Sequence, residues 1–202
     1  MPVDYTHTVI ARTTSSWLLH EARTFISQGI PSTLRTSAYD NSGIWYEMYT
    51  SLIERIKRHI TESKLAATKF ELIYKDQSAS ISLKTDAVMG LTALTEIHVA
   101  LYNALNHEES RRLAVNAAIE IISISDGLPK DRYDLLDHLF LVCWKTVREV
   151  LQQEQARLLG ANADDTSTQT AVYAGTIPSL LTALRECIRR LRAVAPFGQR
   201  PQ

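Results

Sequence analysis

Arg132 and His138 stand in the stretch LPKDRYDLLDHLFLVCWKTVREVLQQEQARLLG, Leu128 to Gly160, with five residues between them. A guanidinium holds a phosphate bidentately, and an imidazole can take or give a proton near neutral pH. The question is whether this pair is chemistry or helix surface. The plainer reading puts Arg132 in a polar first turn with Asp131 and Asp134, and His138 at the edge of an apolar helical stripe. On that reading no residue is assigned a catalytic role, and Arg132 and His138 are the two candidates that would carry one.

The Arg132 to His138 spacing resembles the Arg-x(4–6)-His signature of HEPN-domain ribonucleases. The resemblance rests on this motif and on the helical character of the chain. It implies a helical bundle working as a dimer, in which the Arg and the His act together on the scissile phosphate. Tyr133 follows Arg132 where that family usually carries a polar residue, a departure from the pattern.

Other chemistry finds less support. The six histidines, at positions 7, 20, 59, 98, 107 and 138, form neither an HExxH motif nor an i, i+4 pair with a strong ligand. Walker, GxGxxG, GxSxG and CxxC motifs are all missing, so neither a metal nor a cofactor is expected. Cys143 and Cys187 fall at apolar helix positions, as small hydrophobes. Glu54, Glu62, Glu108 and Glu109 lie on polar faces, where nothing shifts a carboxylate toward acid-base work.

Charge is balanced over the whole chain, 22 basic against 22 acidic residues, so any pull on nucleic acid or lipid must be local. From Arg185 onward the chain carries Arg185, Arg189, Arg190, Arg192 and Arg200 against Glu186, a net of +4. These arginines, Arg185 to Arg192 above all, are the candidates for an anionic partner or nucleic acid. The favoured alternative is that they complement the helix dipole and cover an acidic neighbour, since Asn106 to Asp137 carries a net of −3.

The elements that must position these residues are helices. Apolar residues make up 45% of the chain, enough for a buried core. Trp17, Leu18, Ala22, Phe25 and Ile26 share one side of a first helix that Gly29 and Pro31 stop. Trp45, Met48, Tyr49, Leu52, Ile53, Ile56 and Ile60 mark a second. The alternation of Phe70, Leu72 and Tyr74 with Ala79, Ile81 and Leu83 about Asp76 and Gln77 predicts a small β-hairpin over 68–84, with a continued helix as the alternative.

A third helix opens at Asp86 as N-cap, and Asn106 with Glu109 makes a capping box for a fourth that Gly127 and Pro129 close. The longest helix then carries Leu135, Leu136, Leu139, Val142, Cys143, Val147, Val150 and Leu151, and Gly160 caps it. One core is expected to join Trp45, Leu52, Ile56, Leu94, Leu101, Leu139, Val142 and Val147.

The expected organisation is a mainly α body over 1–160, a polar linker over 161–176 and a C-terminal amphipathic helix with a basic tail over 177–202. Five or six amphipathic helices make up the bundle. In the last one Ile177, Leu181, Leu184, Ile188 and Leu191 repeat at 4, 3, 4, 3, a seam expected to meet another copy of the chain. No apolar run approaches a membrane span, and no secretion signal opens the chain, which points to a reducing, cytoplasmic setting. The function expected is that of a non-enzymatic helical interaction or structural protein that self-associates, of a viral or regulatory accessory kind. The alternative is a nucleic-acid-binding or HEPN-like RNA-cleaving helical protein.

Overall fold

The computed structural model describes residues 6–31, 42–136, 139–160 and 168–194. Helices α1 (Thr6–Ser27), α2 (Ser42–Lys69), α3 (Gln77–Leu105), α4 (Glu108–Asp126), α5 (Leu139–Gly160) and α6 (Thr168–Val194) account for nearly all of them, and no strand occurs among the described residues. The mainly α bundle is as the sequence implies.

The centre of the bundle is α3. Val88, Leu91, Ala93, Leu94, Ile97 and Leu101 are buried around its circumference, and α1, α2, α4 and α5 pack on it. Its interior hydroxyls are satisfied locally: Thr85, Thr92 and Thr95 each donate to the carbonyl four residues back, at 2.8 Å. A Cβ on Gly90 would lie 2.8 Å from Ile60 Cγ1, so glycine there lets α2 and α3 approach closely. By length and composition alone α3 would cross a bilayer, contrary to the reading that no segment approaches that threshold; just over half of its most apolar window is buried inside the bundle.

The hairpin over 68–84 is not present. Helix α2 runs to Lys69 and passes into a π-helical turn, Phe70–Tyr74, and α3 starts at Gln77. The reversal at Asp76 is real, but it joins helices: Lys75 takes the left-handed conformation (φ 56°), and Asp76 caps α3 by accepting from the Ala79 N–H at 3.0 Å. Ala67, Phe70, Ala79 and Leu83 then form a small buried cluster at helical spacing, whereas Leu72 and Tyr74 are exposed. Two isolated strands could not have covered that surface.

Asp86 is therefore an interior residue of α3, not its cap. Asn106 is the left-handed C-cap of α3 (φ 54°), and α4 starts after His107 with no side-chain cap, so the expected capping box of Asn106 and Glu109 does not form. The expected long helix from Leu128 is broken. Lys130–Leu135 forms a 3₁₀ turn, and α5 begins at Leu139. Tyr133 anchors that turn by donating to the Ser125 carbonyl at 3.3 Å, while the indole of Trp144 donates to Ser125 Oγ at 2.9 Å. Leu52, Ile56, Leu94, Leu101 and Val147 share one core, with Trp45 and Leu139 partly buried against it. Val142 faces out, because the break before α5 rotates the stripe.

Helix α6 begins at Thr168, so nine residues of the expected linker are helical; its remainder, 161–167, lies outside the described residues. Tyr173 holds this extension by donating to Asn116 Oδ1 of α4 at 2.8 Å. Pro178 falls inside the helix instead of opening it.

Candidate interaction site

Arg132 lies on the 3₁₀ turn with its side chain half in solvent, 3.7 Å from Asp131. His138 lies outside the described residues, so the two candidates are not brought together as a measured pair.

The arginines of α6 divide into two sets. Arg189 makes two 2.7 Å hydrogen bonds to the Glu186 carboxylate, and Arg190 adds a third at 2.9 Å. Those bonds hold the Glu186 carboxyl down at about 2. Arg190 also sits against Tyr133, whose phenol burial pushes strongly upward. Arg185 and Arg192 are exposed and pair with no described carboxylate. Arg189 and Arg190 share the one Glu186 carboxylate, so the four arginines keep a net of +3.

The seam of α6 is covered by its own chain. Ile177, Leu181, Leu184 and Leu191 are buried, Ile188 is half-buried, and the helix packs on α5, α4 and the 3₁₀ turn. In this arrangement the seam has no apolar face left over for a partner.

A buried polar cluster joins α1, α2 and α3. Arg12 Nε donates to Asp86 Oδ1 at 2.8 Å, and Ser15 Oγ lies 2.8 Å from His59 Nε2. Ser15 Oγ also lies 2.7 Å from the Ala11 carbonyl, to which it can donate. Burial pushes the Asp86 carboxyl up to about 6 against the pull of Arg12, and burial lowers His59. A Ser, a His and an Asp come together here, but Ser15 and Asp86 have no solvent exposure. The cluster ties helices together; it does not present a nucleophile.

The cysteines are likewise enclosed. Burial raises Cys187 and pushes Cys143 up to about 11, which keeps both as thiols at neutral pH. Among the described residues no three His, Cys, Asp or Glu side chains gather as a metal site.

Large apolar side chains stand in solvent at several places, Leu65, Leu72, Ile73 and Leu159 among them, and one set belongs to α1 and the start of α2. Trp17 is 49% exposed, Ile44 67%, Tyr46 61% and Met48 47%, values far outside those of core residues. Trp45 and Tyr49 stack with ring centroids 5.5 Å apart, and Phe25 lies 5.1 Å from Trp45. Beside them a groove of about 520 Å³ runs between the helices, floored by Phe25 and Leu52 and rimmed by Glu21, Glu47, Met48 and Arg55. Arg55 donates to Glu21 at 2.6 Å and covers the Trp17 ring at 5.0 Å. Glu21 Oε2, Arg55 Nε and Trp45 Nε1 are buried without a hydrogen-bond partner.

Sequence reasoning placed Trp17 and Met48 on core faces and so missed this surface. The signal was the density of apolar residues: five of the six positions Ile44 to Tyr49 are large and apolar, save Glu47, a stripe wider than one neighbouring helix can cover.

Comparison with protein-family models, with curated proteins and with solved structures finds no match for this chain.

Proposed function

We propose that this chain is a helical interaction protein that self-associates, and that its working surface is the α1–α2 face. The observation that carries the reading is the set of large apolar side chains left in solvent on these two helices, Trp17, Ile44, Tyr46 and Met48, of which Met48 lines a groove open between them. Large apolar side chains left in solvent mark binding sites where several of them gather. Trp, Tyr, Met and Arg are also the residue types enriched at protein interfaces. Light scattering over a dilution series tests the reading: a mass above the 22.7 kDa of one chain that falls on dilution supports it, and a monomer throughout rejects it.

A further inference from the structure

One end of the bundle carries a second apolar set, apart from the α1–α2 groove. Helix α2 closes there in the π-helical turn Phe70–Tyr74, and α3 departs at Gln77. Phe70 is buried with Ala67, Ala79 and Leu83, whereas Leu72, Ile73 and Tyr74 are all exposed. Leu65 is exposed two turns before Leu72. Ala11 of α1 packs on the same small cluster, so the exposed Val9 and Ile10, within one turn of it, lie at this end as well.

The shape of this end and its charge select the same occupant. Consecutive side chains leave an α-helix about 100° apart, and a π turn somewhat less. Leu72, Ile73 and Tyr74 therefore project to three sides of a chain reversal. A flat protein face would cover one of them and leave the others in water, whereas a fluid apolar layer closes around all three. Residues 64–84 also carry four lysines against Glu71 and Asp76. Both carboxylates serve the chain itself: Glu71 accepts from Lys84 at 2.6 Å, and Asp76 caps α3 through the Ala79 N–H. Lys64 pairs with Glu120. Lys69 and Lys75 are exposed and pair with no described carboxylate, and the Lys69 ammonium lies 5.6 Å from the Tyr74 ring centroid. Two unpaired cations thus flank side chains that want an apolar medium.

We propose that this end of the bundle docks on the surface of an anionic lipid bilayer, with Leu72, Ile73 and Tyr74 entering the interface and Lys69 and Lys75 meeting the headgroups. Tyr74 suits that depth, with an apolar ring and a polar tip. The lysine stems lie along apolar surface while their ammonium groups stay at headgroup level. Apolar burial and attraction to anionic lipid then add, as for any peripheral anchor. The chain lies on the bilayer without crossing it: α3, the helix long and apolar enough to span, is enclosed by α1, α2, α4 and α5. The inference does not rest on self-association, since the docking end and the α1–α2 groove share no residue.

Co-sedimentation of the full-length chain with vesicles of phosphatidylcholine alone, and of phosphatidylcholine with phosphatidylserine at about 3:1, tests the proposal. Partitioning onto the anionic vesicles is expected to be at least about tenfold stronger, and Lys69→Gln with Lys75→Gln should remove most of that difference. Leu72→Asp with Ile73→Asp should weaken binding to the anionic vesicles at least about tenfold. Because both native cysteines are buried, Ile73→Cys can carry an environment-sensitive fluorophore, whose emission should shift to the blue on the anionic vesicles. The same label on Leu159→Cys should not shift, since that exposed residue lies at the other end of the bundle, where Glu154 meets Arg111 in the first turn of α4. If circular dichroism shows the aspartate variant unfolded, the two labels decide the matter. A chain that stays in the supernatant with both vesicles leaves a protein as the occupant and overturns the proposal. Equal binding to the two vesicle types, undiminished binding by a folded aspartate variant, or a bound protein whose label at 73 stays in water overturns it equally.

Discussion

Arg12 Nε lies 2.8 Å from Asp86 Oδ1, and this pair fixes the first helix to the middle of α3 at a point where the carboxylate has no contact with water. Removing one partner of a buried pair strands the other charge. Arg12→Met should therefore destabilise the protein by about 3 kcal/mol, and Arg12→Met with Asp86→Leu should recover much of it. Urea denaturation of the single and double variants checks this; a single variant within about 0.5 kcal/mol of wild type would show that the pair contributes nothing.

Two buried groups titrate with opposite consequences. Burial, with Lys57 of α2 and His107 ahead of α4 adding repulsion, lowers His98 to about 4, and neither ring nitrogen has a hydrogen-bond partner. The folded state thus favours neutral His98, and stability present above about pH 6.5 is lost as pH falls toward 4. Burial raises Asp86 to about 6 against the pull of Arg12 and Ser15, so its contribution runs the other way: stability falls as pH rises from about 4 to 6. Relative to wild type, His98→Leu should gain on the order of 2 kcal/mol between pH 6.5 and pH 4. Asp86→Asn should change in the opposite direction over the overlapping window. Parallel pH profiles for wild type and His98→Leu would contradict the neutral buried imidazole.

The burial of the α6 seam changes what truncation should do. Ile177, Leu181, Leu184 and Leu191 are part of the chain's own core, so Leu184→Ala should cost roughly 2–5 kcal/mol. A chain ending at Gly160 should lose cooperative unfolding. If the truncated chain melts as sharply as the full one while losing mass by light scattering, α6 is exchanged between copies.

The arginines of α6 set a limit on phosphate binding. With Arg189 and Arg190 held by Glu186, Arg185 and Arg192 are the free guanidinium groups of this helix. One Glu186 carboxylate offsets one of the four charges, so the slope of log affinity against log salt for RNA should be no steeper than about −3 per copy for contacts made through α6. A filter-binding series giving a slope near −4, abolished by substituting all four arginines, would restore the nucleic-acid reading.

Helices were legible in the sequence wherever one face alone met the core, as along Leu52, Ile56 and Ile60 of α2. Legibility failed where tertiary packing overrode local pattern. Residues 70–83 alternate because the π turn exposes Leu72 and Tyr74 while α3, buried on several sides, takes in Ala79, Ile81 and Leu83. Asp86 looked like a cap because a carboxylate inside a helix centre is uncommon, and only the three-dimensional position of Arg12, 74 residues away, accounts for it. The seam of α6 showed the right residues but not which chain covers them, since periodicity reports a buried face and says nothing of its partner. The α1–α2 face was hidden for the converse reason: Met48 and Trp17 fit helical stripes whose outer edge no neighbouring helix reaches.

The central claim is that the α1–α2 face joins two copies of the chain. Met48→Asp places a charge in that face at a position already 47% exposed, where the fold does not depend on it. Sedimentation equilibrium of wild type and Met48→Asp at equal concentration is the most direct test. The account expects the wild type above the 22.7 kDa of one chain and the variant at that mass with unchanged helical content; equal masses for the two proteins would contradict it.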